Sequence, residues 1–252
     1  MDERFTDSAP VVMTIDIGNT AMKVSVFEGD RLLQSVAAPG CDPEAVRTLL
    51  MFHHVDGICY CCVGRDSAGI ADCLEAEGEI PFLRLTAETP LPIGVEYASR
   101  STLGLDRVAA AVGAAGGETP LLVVDAGTAV TSDLVADGSF LGGNIAPGIS
   151  LRFKSLHEYT SRLPLVEPQG VTPELGFDTV TAIRAGVVGG LAHEIESISR
   201  SLSGRYPGLK VLLAGGDADT LLPILADLEV PCFVDHAVVG RGLARIFNYN
   251  RN

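Results

Sequence analysis

Two short motifs combine a carboxylate with a glycine two residues later, and this combination suits the binding of nucleotide phosphates. The first is DIGNT at 16–20 and the second is DAGT at 125–128. The glycine lets backbone N–H groups approach phosphate oxygens, while the carboxylate can hold a hydrated cation beside them. One such motif alone is as typical of an ordinary strand-to-hairpin turn, because Asp and Gly are common turn residues.

The sequence around the motifs repeats in register. Segments 11–34 and 120–143 align without a gap, and the separation of 109 between Asp16 and Asp125 (125 minus 16) also relates Gly29 to Gly138. Each copy is typical of a buried strand that ends in the acidic residue, followed by a glycine turn, a second strand and a hairpin. Recurrence of the whole unit favours a paired phosphate-binding function over two unrelated turns.

The surrounding hydrophobic periodicity predicts the elements that carry these motifs. Strands are expected at 13–17, 23–28, 31–37, 57–63, 82–85, 121–125, 131–135, 140–145 and 210–214. Helices are expected at 43–53, 68–77, 107–115, 149–163, 179–202 and 240–247, with a further helix after Gly215 and Gly216. Three antiparallel strands followed by alternating helix and strand, found twice, predict an α/β protein with domains at 11–110 and 111–252.

Composition restricts the class of partner. The 252 residues are 47% hydrophobic and carry 32 acidic against 18 basic residues, a formal net charge of -14. Because nucleic-acid binding depends on clustered basic residues, we expect no nucleic-acid partner. The polar start of the chain has no signal-peptide pattern, and no segment has 18 uninterrupted apolar residues. A cytoplasmic protein without membrane contact is therefore expected.

Cysteines crowd in the segment CYCC at 59–62, just after His53 and His54, which suggests a metal site. The flanking sequence is also typical of a buried strand, in which free cysteine behaves as a small hydrophobic residue. We favour the buried strand over a zinc site, and a disulfide framework does not suit an unsecreted chain of this size. The six cysteines are Cys41, Cys59, Cys61, Cys62, Cys73 and Cys232.

The turn GLDR at 104–107 lies between the two repeats and opens an alanine-rich helix. Taken alone, it is typical of a helix N-terminus at which Asp106 complements the helix dipole and Arg107 is a solvated surface charge. The other motifs of the chain favour a functional interpretation of GLDR instead.

Five motifs in order resemble type III pantothenate kinases: DIGNT, GLDR, DAGTAVT, GGNIAPG at 142–148 and GFDTVTAIRAG at 176–186. The resemblance spans about residues 13–247. It implies the superfamily of actin, sugar kinases and heat-shock chaperones, with two tandem ribonuclease-H-like domains, mixed sheets flanked by helices, and a nucleotide cleft between the domains. It also implies phosphorylation of pantothenate by ATP in coenzyme A synthesis, performed by a homodimer.

The resemblance also implies roles for individual residues. Asp106 would be the catalytic base, Thr128 an ATP contact, and Asp125 a ligand of a monovalent cation, K⁺ or NH₄⁺. The first phosphate loop would comprise Asp16, which would also lie near Mg²⁺, together with Ile17, Gly18, Asn19, Thr20, Ala21, Met22 and Lys23. The pantothenate contacts would be Tyr97, Gly104, Leu105, Asp106 and Arg107, with Thr179 supplied by the partner subunit.

Two other function classes fit part of the pattern. Another small-molecule kinase of the superfamily would share both phosphate turns, but the GLDR turn between the halves and the short chain argue against it. A non-catalytic regulatory homologue is the second alternative, and the joint presence of Asp16, Asp106, Asp125 and Thr128 argues for catalysis. Ala110 and Ser132 stand where family members often have asparagine and an aromatic residue, which bears on fine substrate geometry.

Overall fold

The structure, a computed structural model, describes residues 9–62, 68–76, 80–117 and 119–251. The strands are β1 (Val11–Ile17), β2 (Ala21–Glu28), β3 (Arg31–Pro39), β4 (Gly57–Cys62), β5 (Phe82–Arg84), β6 (Gly94–Val95), β7 (Leu121–Ala126), β8 (Ala129–Ala136), β9 (Ser139–Pro147), β10 (Lys210–Ala214) and β11 (Cys232–Val234). The helices are α1 (Pro43–Phe52), α2 (Ala68–Ala76), α3 (Leu105–Ala114), α4 (Ile149–Glu158), α5 (Thr179–Arg184), α6 (Gly190–Ser203), α7 (Ala218–Asp227) and α8 (Val238–Asn250).

The chain divides into two compact units. The first comprises Met1–Gly94, Ala98–Gly113 and Ala237–Asn252, and the second comprises Val95–Tyr97 and Ala114–His236. The division differs from the expected boundary at 110/111 because α8 packs against β1, β2 and β4 of the first unit. The amphipathic face of α8 thus covers a sheet that lies far away in sequence.

The first unit is built on a sheet with the strand order β3-β2-β1-β4-β5. Strands β1, β2 and β3 are antiparallel neighbours, while β4 runs parallel to both β1 and β5. Side chains alternate across the sheet, so Met13 and Ile15 join a core with α1 and α2, where Leu49 and Ile70 are buried. On the opposite face, α8 approaches β2 so closely that a Cβ at Gly240 would lie 2.9 Å from the Phe27 ring.

The second unit repeats this connectivity. Its sheet has the order β11-β10-β7-β8-β9-β6, with β7, β8 and β9 antiparallel and β10 parallel to β7 and β11. The hairpin glycines Gly29 and Gly138 both have a left-handed backbone, with φ of 59° and 70°. Two mixed sheets flanked by helices confirm the predicted fold class, and the matching connectivity supports the repeat found in the sequence.

Most predicted elements are found within a few residues of their expected bounds, and the differences have local causes. The helix expected at 179–202 is divided into α5 and α6 by a π-helical turn at Ala185–Gly189, where Gly186 and Gly189 lower helix propensity. The helix expected at 149–163 ends at Glu158, because the Thr160 hydroxyl donates to the Leu156 carbonyl (2.7 Å) and accepts from the Leu163 N–H (3.3 Å).

The short strands β6 and β11 were not predicted, because two or three residues carry no measurable periodicity. The last predicted residues of the strand at 57–63 and the helix at 68–77, Val63 and Glu77, lie outside the described residues. Among the described residues, no helix is long and apolar enough to cross a membrane.

Candidate active site

The first phosphate loop is the tight turn between β1 and β2. The Gly18 N–H donates to the Ala21 carbonyl (3.0 Å), which leaves Asn19 and Thr20 exposed at the tip. Ile17 and Met22 flank the turn with side chains buried in the core, so only their backbone atoms can reach a ligand. The turn therefore has the geometry expected of a loop that binds phosphate mainly through its backbone.

Asp16 lies at the end of β1, where the sheet fixes its neighbours. Antiparallel pairing places Lys23 of β2 on one side, and parallel pairing places Cys61 of β4 on the other. The Cys61 thiol donates a hydrogen bond to Oδ1 of Asp16, with 3.4 Å between sulfur and oxygen. Thus Asp16, Lys23 and Cys61 form one row across three strands.

The carboxyl of Asp16 has an unusual proton affinity. Burial raises its pKa from the ordinary value of 3.8 to about 6; the thiol of Cys61 and the charge of Lys23 lower it, whereas the charge of Asp106 raises it further. The pKa of Cys61 is raised well above its usual range, first by burial and then by the adjacent carboxylate of Asp16. Asp16 and Asp106 therefore lie within electrostatic reach of each other in the first unit.

Asp106 stands in the first turn of α3, within the GLDR motif. Its Oδ1 accepts from the backbone N–H of Arg107 (2.9 Å). A Cβ at position 104 would lie 2.5 Å from the same Oδ1, so only glycine leaves room for this carboxylate. Arg107 is 5% exposed, and the interpretation of Arg107 as a solvated surface charge is wrong.

The C-terminal end of α3 is anchored by α8. The two helices approach at their glycines, where a Cβ on Gly242 would lie 2.9 Å from the Gly113 nitrogen. Arg245 donates to the Val112 carbonyl (2.9 Å) and the Gly113 carbonyl (3.1 Å) in the last turn of α3, and also to Oδ2 of Asp30 (2.7 Å). The last carbonyls of a helix need partners from outside the helix. These contacts fix the axis of the helix whose first turn carries Asp106.

The second motif has a corresponding geometry in the second unit. Asp125 lies near the end of β7, paired with Thr131 of β8 and with Ala214 of β10. The Gly127 N–H donates to the Ala129 carbonyl (3.0 Å), which leaves Thr128 exposed at the tip of the turn. This turn joins two antiparallel strands as the β1–β2 turn does, but it is one residue tighter, because the Gly18 N–H donates to the residue three positions on and the Gly127 N–H to the residue two positions on.

Two glycines let other segments approach the second motif. The Gly148 N–H donates to the Thr128 carbonyl (3.0 Å), and a Cβ at Gly148 would lie 2.7 Å from that oxygen. Gly215 has a left-handed backbone with φ of 83°, and a Cβ there would lie 2.5 Å from Oδ1 of Asp125. The backbone directly after β9 thus lies close to Thr128, and the backbone directly after β10 lies close to Asp125.

Two predicted pantothenate contacts, Tyr97 and Thr179, belong to the second unit. The Tyr97 ring packs edge-on against Phe140, with 5.8 Å between the ring centroids. Thr179 is exposed at the start of α5, directly after Asp178, whose side chain caps the helix by accepting from the Thr181 N–H (2.8 Å). The predicted residues are therefore divided between the two units, with Asp16 and Asp106 in the first and Tyr97, Asp125, Thr128 and Thr179 in the second.

The contact between Cys61 and Asp16 could not be predicted from the sequence. The sequence favours a buried strand for the cysteine cluster, and Cys59 and Cys61 are buried in β4. Among the described residues, no group of three or more His, Cys, Asp or Glu side chains could hold a metal ion. The register of β4 against β1, which a single sequence does not contain, brings Cys61 beside Asp16.

Comparisons with known proteins agree with the motifs. The sequence model of the type III pantothenate kinase family matches residues 12–201. A type III pantothenate kinase of Porphyromonas gingivalis is 40% identical over 248 residues, which cover 94% of this chain and 98% of that relative.

Solved structures share the fold. A conserved Baf family protein of Campylobacter jejuni has a TM-score of 0.61 at 23% identity, covering 95% of this chain and 99% of that chain. The Lmo2764 protein of Listeria monocytogenes, a candidate N-acetylmannosamine kinase, has a TM-score of 0.55 at 13% identity, covering 96% of this chain and 100% of that chain. The family match and the identity to the Porphyromonas relative show that this chain belongs to the type III pantothenate kinase family.

Proposed function

We propose that this protein transfers the γ-phosphoryl group of ATP to the primary hydroxyl of pantothenate, giving 4′-phosphopantothenate for coenzyme A synthesis. One observation carries the proposal beyond family membership. Two carboxylates, Asp16 and Asp106, lie within electrostatic reach of each other in the first unit, and Asp16 adjoins a backbone turn suited to phosphate. Phosphoryl transfer requires mainly positioning and charge neutralisation, which these carboxylates and this turn would supply.

Asp16 has the chemistry of a Mg²⁺ ligand. Its oxygens are the hard donors that Mg²⁺ prefers, and its desolvated charge gains from a cation nearby. Mg²⁺, when bound with ATP, would neutralise charge on the phosphates. The exposed tip of the β1–β2 turn would donate backbone N–H groups to phosphate oxygens, with Lys23 adjacent to Asp16 in the sheet.

Asp106 would accept the proton of the pantothenate hydroxyl. The N–H of Arg107 fixes Oδ1, and the absence of a side chain at Gly104 leaves the carboxylate room at the helix N-terminus. Leu105 continues the turn, and Arg107 would orient the carboxylate of pantothenate, a task suited to a guanidinium group. Tyr97 would add a further pantothenate contact.

The second motif would bind the nucleotide and a monovalent cation. Thr128 is exposed at its turn and would donate its hydroxyl to a phosphate, while Asp125 would hold K⁺ or NH₄⁺. A carboxylate close to bound phosphate is electrostatically unfavourable unless a cation lies between them, which supports this role.

A homodimer would complete the pantothenate site through Thr179 of the partner subunit. Large apolar side chains flank Thr179 in an exposed position: Leu175 is 85%, Phe177 is 78% and Val180 is 40% exposed. Such a patch is typical of a protein–protein interface. The patch consists of sequence neighbours of Thr179, the residue expected to contact pantothenate bound to the other subunit.

The central experiment is replacement of the proposed base. Asp106→Asn keeps the size of the side chain but removes its basicity, so kcat should fall by about 10²- to 10⁴-fold while the Kd for ATP stays within about twofold. ATP consumption with pantothenate, measured against a panel of sugars and short acids, also tests the substrate. Asp72→Asn, in an exposed carboxylate on α2 of the same unit, is the control. Near-normal kcat in Asp106→Asn would show that Asp106 only caps α3.

A further inference from the structure

The contact between Cys61 and Asp16 is a specific hydrogen bond inside a closed part of the fold. Cys61 is 0% exposed, and parallel strand pairing fixes its backbone directly beside that of Asp16. The thiol lies 3.4 Å from Oδ1, within the range for a sulfur donor. The thiol therefore donates to a carboxylate whose neighbour it is in the sheet.

The position of Cys61 limits what its side chain can do. The thiol is completely buried, so it cannot reach a substrate in solution. In its hydrogen bond with Asp16 the S–H is the donor, because carboxylate oxygens are acceptors. The role open to a buried thiol that donates to a carboxylate is to fix the orientation of that carboxylate.

We propose that Cys61 is a positioning residue for the phosphoryl-transfer reaction: its S–H holds Oδ1 of Asp16 and thereby leaves Oδ2 available to the Mg²⁺ that accompanies the nucleotide. The inference rests on the proposed function, because it assigns Asp16 to the metal. Residues that orient a metal ligand from behind commonly change metal affinity or activity by about 10- to 100-fold when removed. Cys61 acts through Asp16 and does not touch substrate.

The same strand offers a matched control. Cys59 lies two residues earlier, so its side chain points to the same face of β4, and it is also 0% exposed. In the sheet it pairs with Thr14, and no carboxylate accepts a hydrogen bond from its thiol among the described residues. Replacing Cys59 by alanine therefore tests loss of buried volume alone, whereas replacing Cys61 tests loss of volume and of the donor.

The experiment compares Cys61→Ala, Cys61→Val, Cys61→Ser and Cys59→Ala in the full chain. Calorimetric titration with Mg²⁺ and a non-hydrolysable ATP analogue gives the Kd without turnover, and the Mg²⁺ concentration for half-maximal rate is measured in parallel. We expect Cys61→Ala and Cys61→Val to raise this Kd about 10-fold, and Cys61→Ser, which keeps an O–H donor, to restore it to within about threefold. Cys59→Ala should bind like the unmodified protein.

Two outcomes would overturn the proposal. Equal Kd values for Cys61→Val and the unmodified protein would show that the hydrogen bond does not position Asp16. Equal impairment of Cys61→Val and Cys61→Ser would show that Cys61 acts by packing. If Cys61→Ala fails to fold, the valine and serine pair decides, because valine fills the space of the thiol. Pantothenate is absent from the titration, so an error in the proposed substrate would leave this result unchanged.

Discussion

Replacing Asp16 by asparagine removes a desolvated charge while keeping the size of the side chain, and we expect the variant to be more stable than the unmodified protein at neutral pH. The folded-state pKa of Asp16, about 6, lies above the ordinary value of 3.8. Below about pH 4 the carboxyl of Asp16 is protonated in both the folded and the unfolded protein and does not lower stability; stability falls as the pH rises through 6, because the buried carboxyl must then ionise. Asparagine does not ionise, so the variant keeps this stability at neutral pH.

The magnitude follows from the two pKa values. A change from 3.8 to about 6 corresponds to about 3 kcal/mol at a pH above both values. Asp16 keeps some solvent exposure at the strand end, so we expect a gain of about 2 kcal/mol at pH 7.5. The difference between Asp16→Asn and the unmodified protein should be near zero at pH 4 and should rise mainly between pH 4 and 7.

Urea unfolding at a series of pH values, with EDTA and without nucleotide, measures this difference. Asp30→Asn provides a control of opposite sign, because hydrogen bonding to Arg245 lowers the pKa of Asp30. That variant should lose stability at neutral pH, and its deficit should stay nearly constant down to the ordinary pKa of 3.8 and shrink only as the pH falls below that value. A difference for Asp16→Asn that stays constant from pH 4 to 8, or that becomes destabilising at high pH, would refute the electrostatic account of Asp16.

Two further predictions concern the turn and the interface. Gly104→Ala should lower kcat at least 10-fold with little change in the Kd for ATP, because the new Cβ would lie 2.5 Å from Oδ1 of Asp106. The control is Gly69→Ala, at a helix position with open space around it, which should leave turnover unchanged. Phe177→Asp should dissociate the proposed homodimer in sedimentation experiments, whereas Met51→Asp, at an equally exposed apolar position in the first unit, should not. An active dimer of Phe177→Asp would place the interface elsewhere.

Local patterns were sufficient for much of the fold. The hydrophobic pattern of β1 and β7 and the shared spacing of their motifs predicted two copies of one unit. Each copy is complete within about 25 residues, so its recognition needs no tertiary information. The start of α3 was predicted within two residues for the same reason. The roles of Asp16, Asp106 and Asp125 stay predictions. The position of each carboxylate agrees with its predicted role but does not test it.

Non-local contacts were beyond a single sequence. The neighbour of Asp16 on β4 depends on the register of two strands 45 residues apart, and one residue of slip would replace Cys61 by a side chain on the other face. The packing of α8 on the first sheet depends on Gly57 and Gly240, and its packing on α3 depends on Gly113 and Gly242. These glycines resemble ordinary helix-breaking or turn residues until their partners are known. Burial of Arg107 was likewise hidden, because burial depends on tertiary packing.

The position of α8 in the first unit has a consequence for the order of folding during synthesis. Residues 237–252 complete a unit whose other segments leave the ribosome more than 120 residues earlier, whereas the second unit is finished before α8 emerges. Until then β1 and β4 lack the helix that packs on them, and their apolar face is open to chaperones or to aggregation. The second unit should consequently reach protease resistance first on stalled nascent chains, although its sequence comes later.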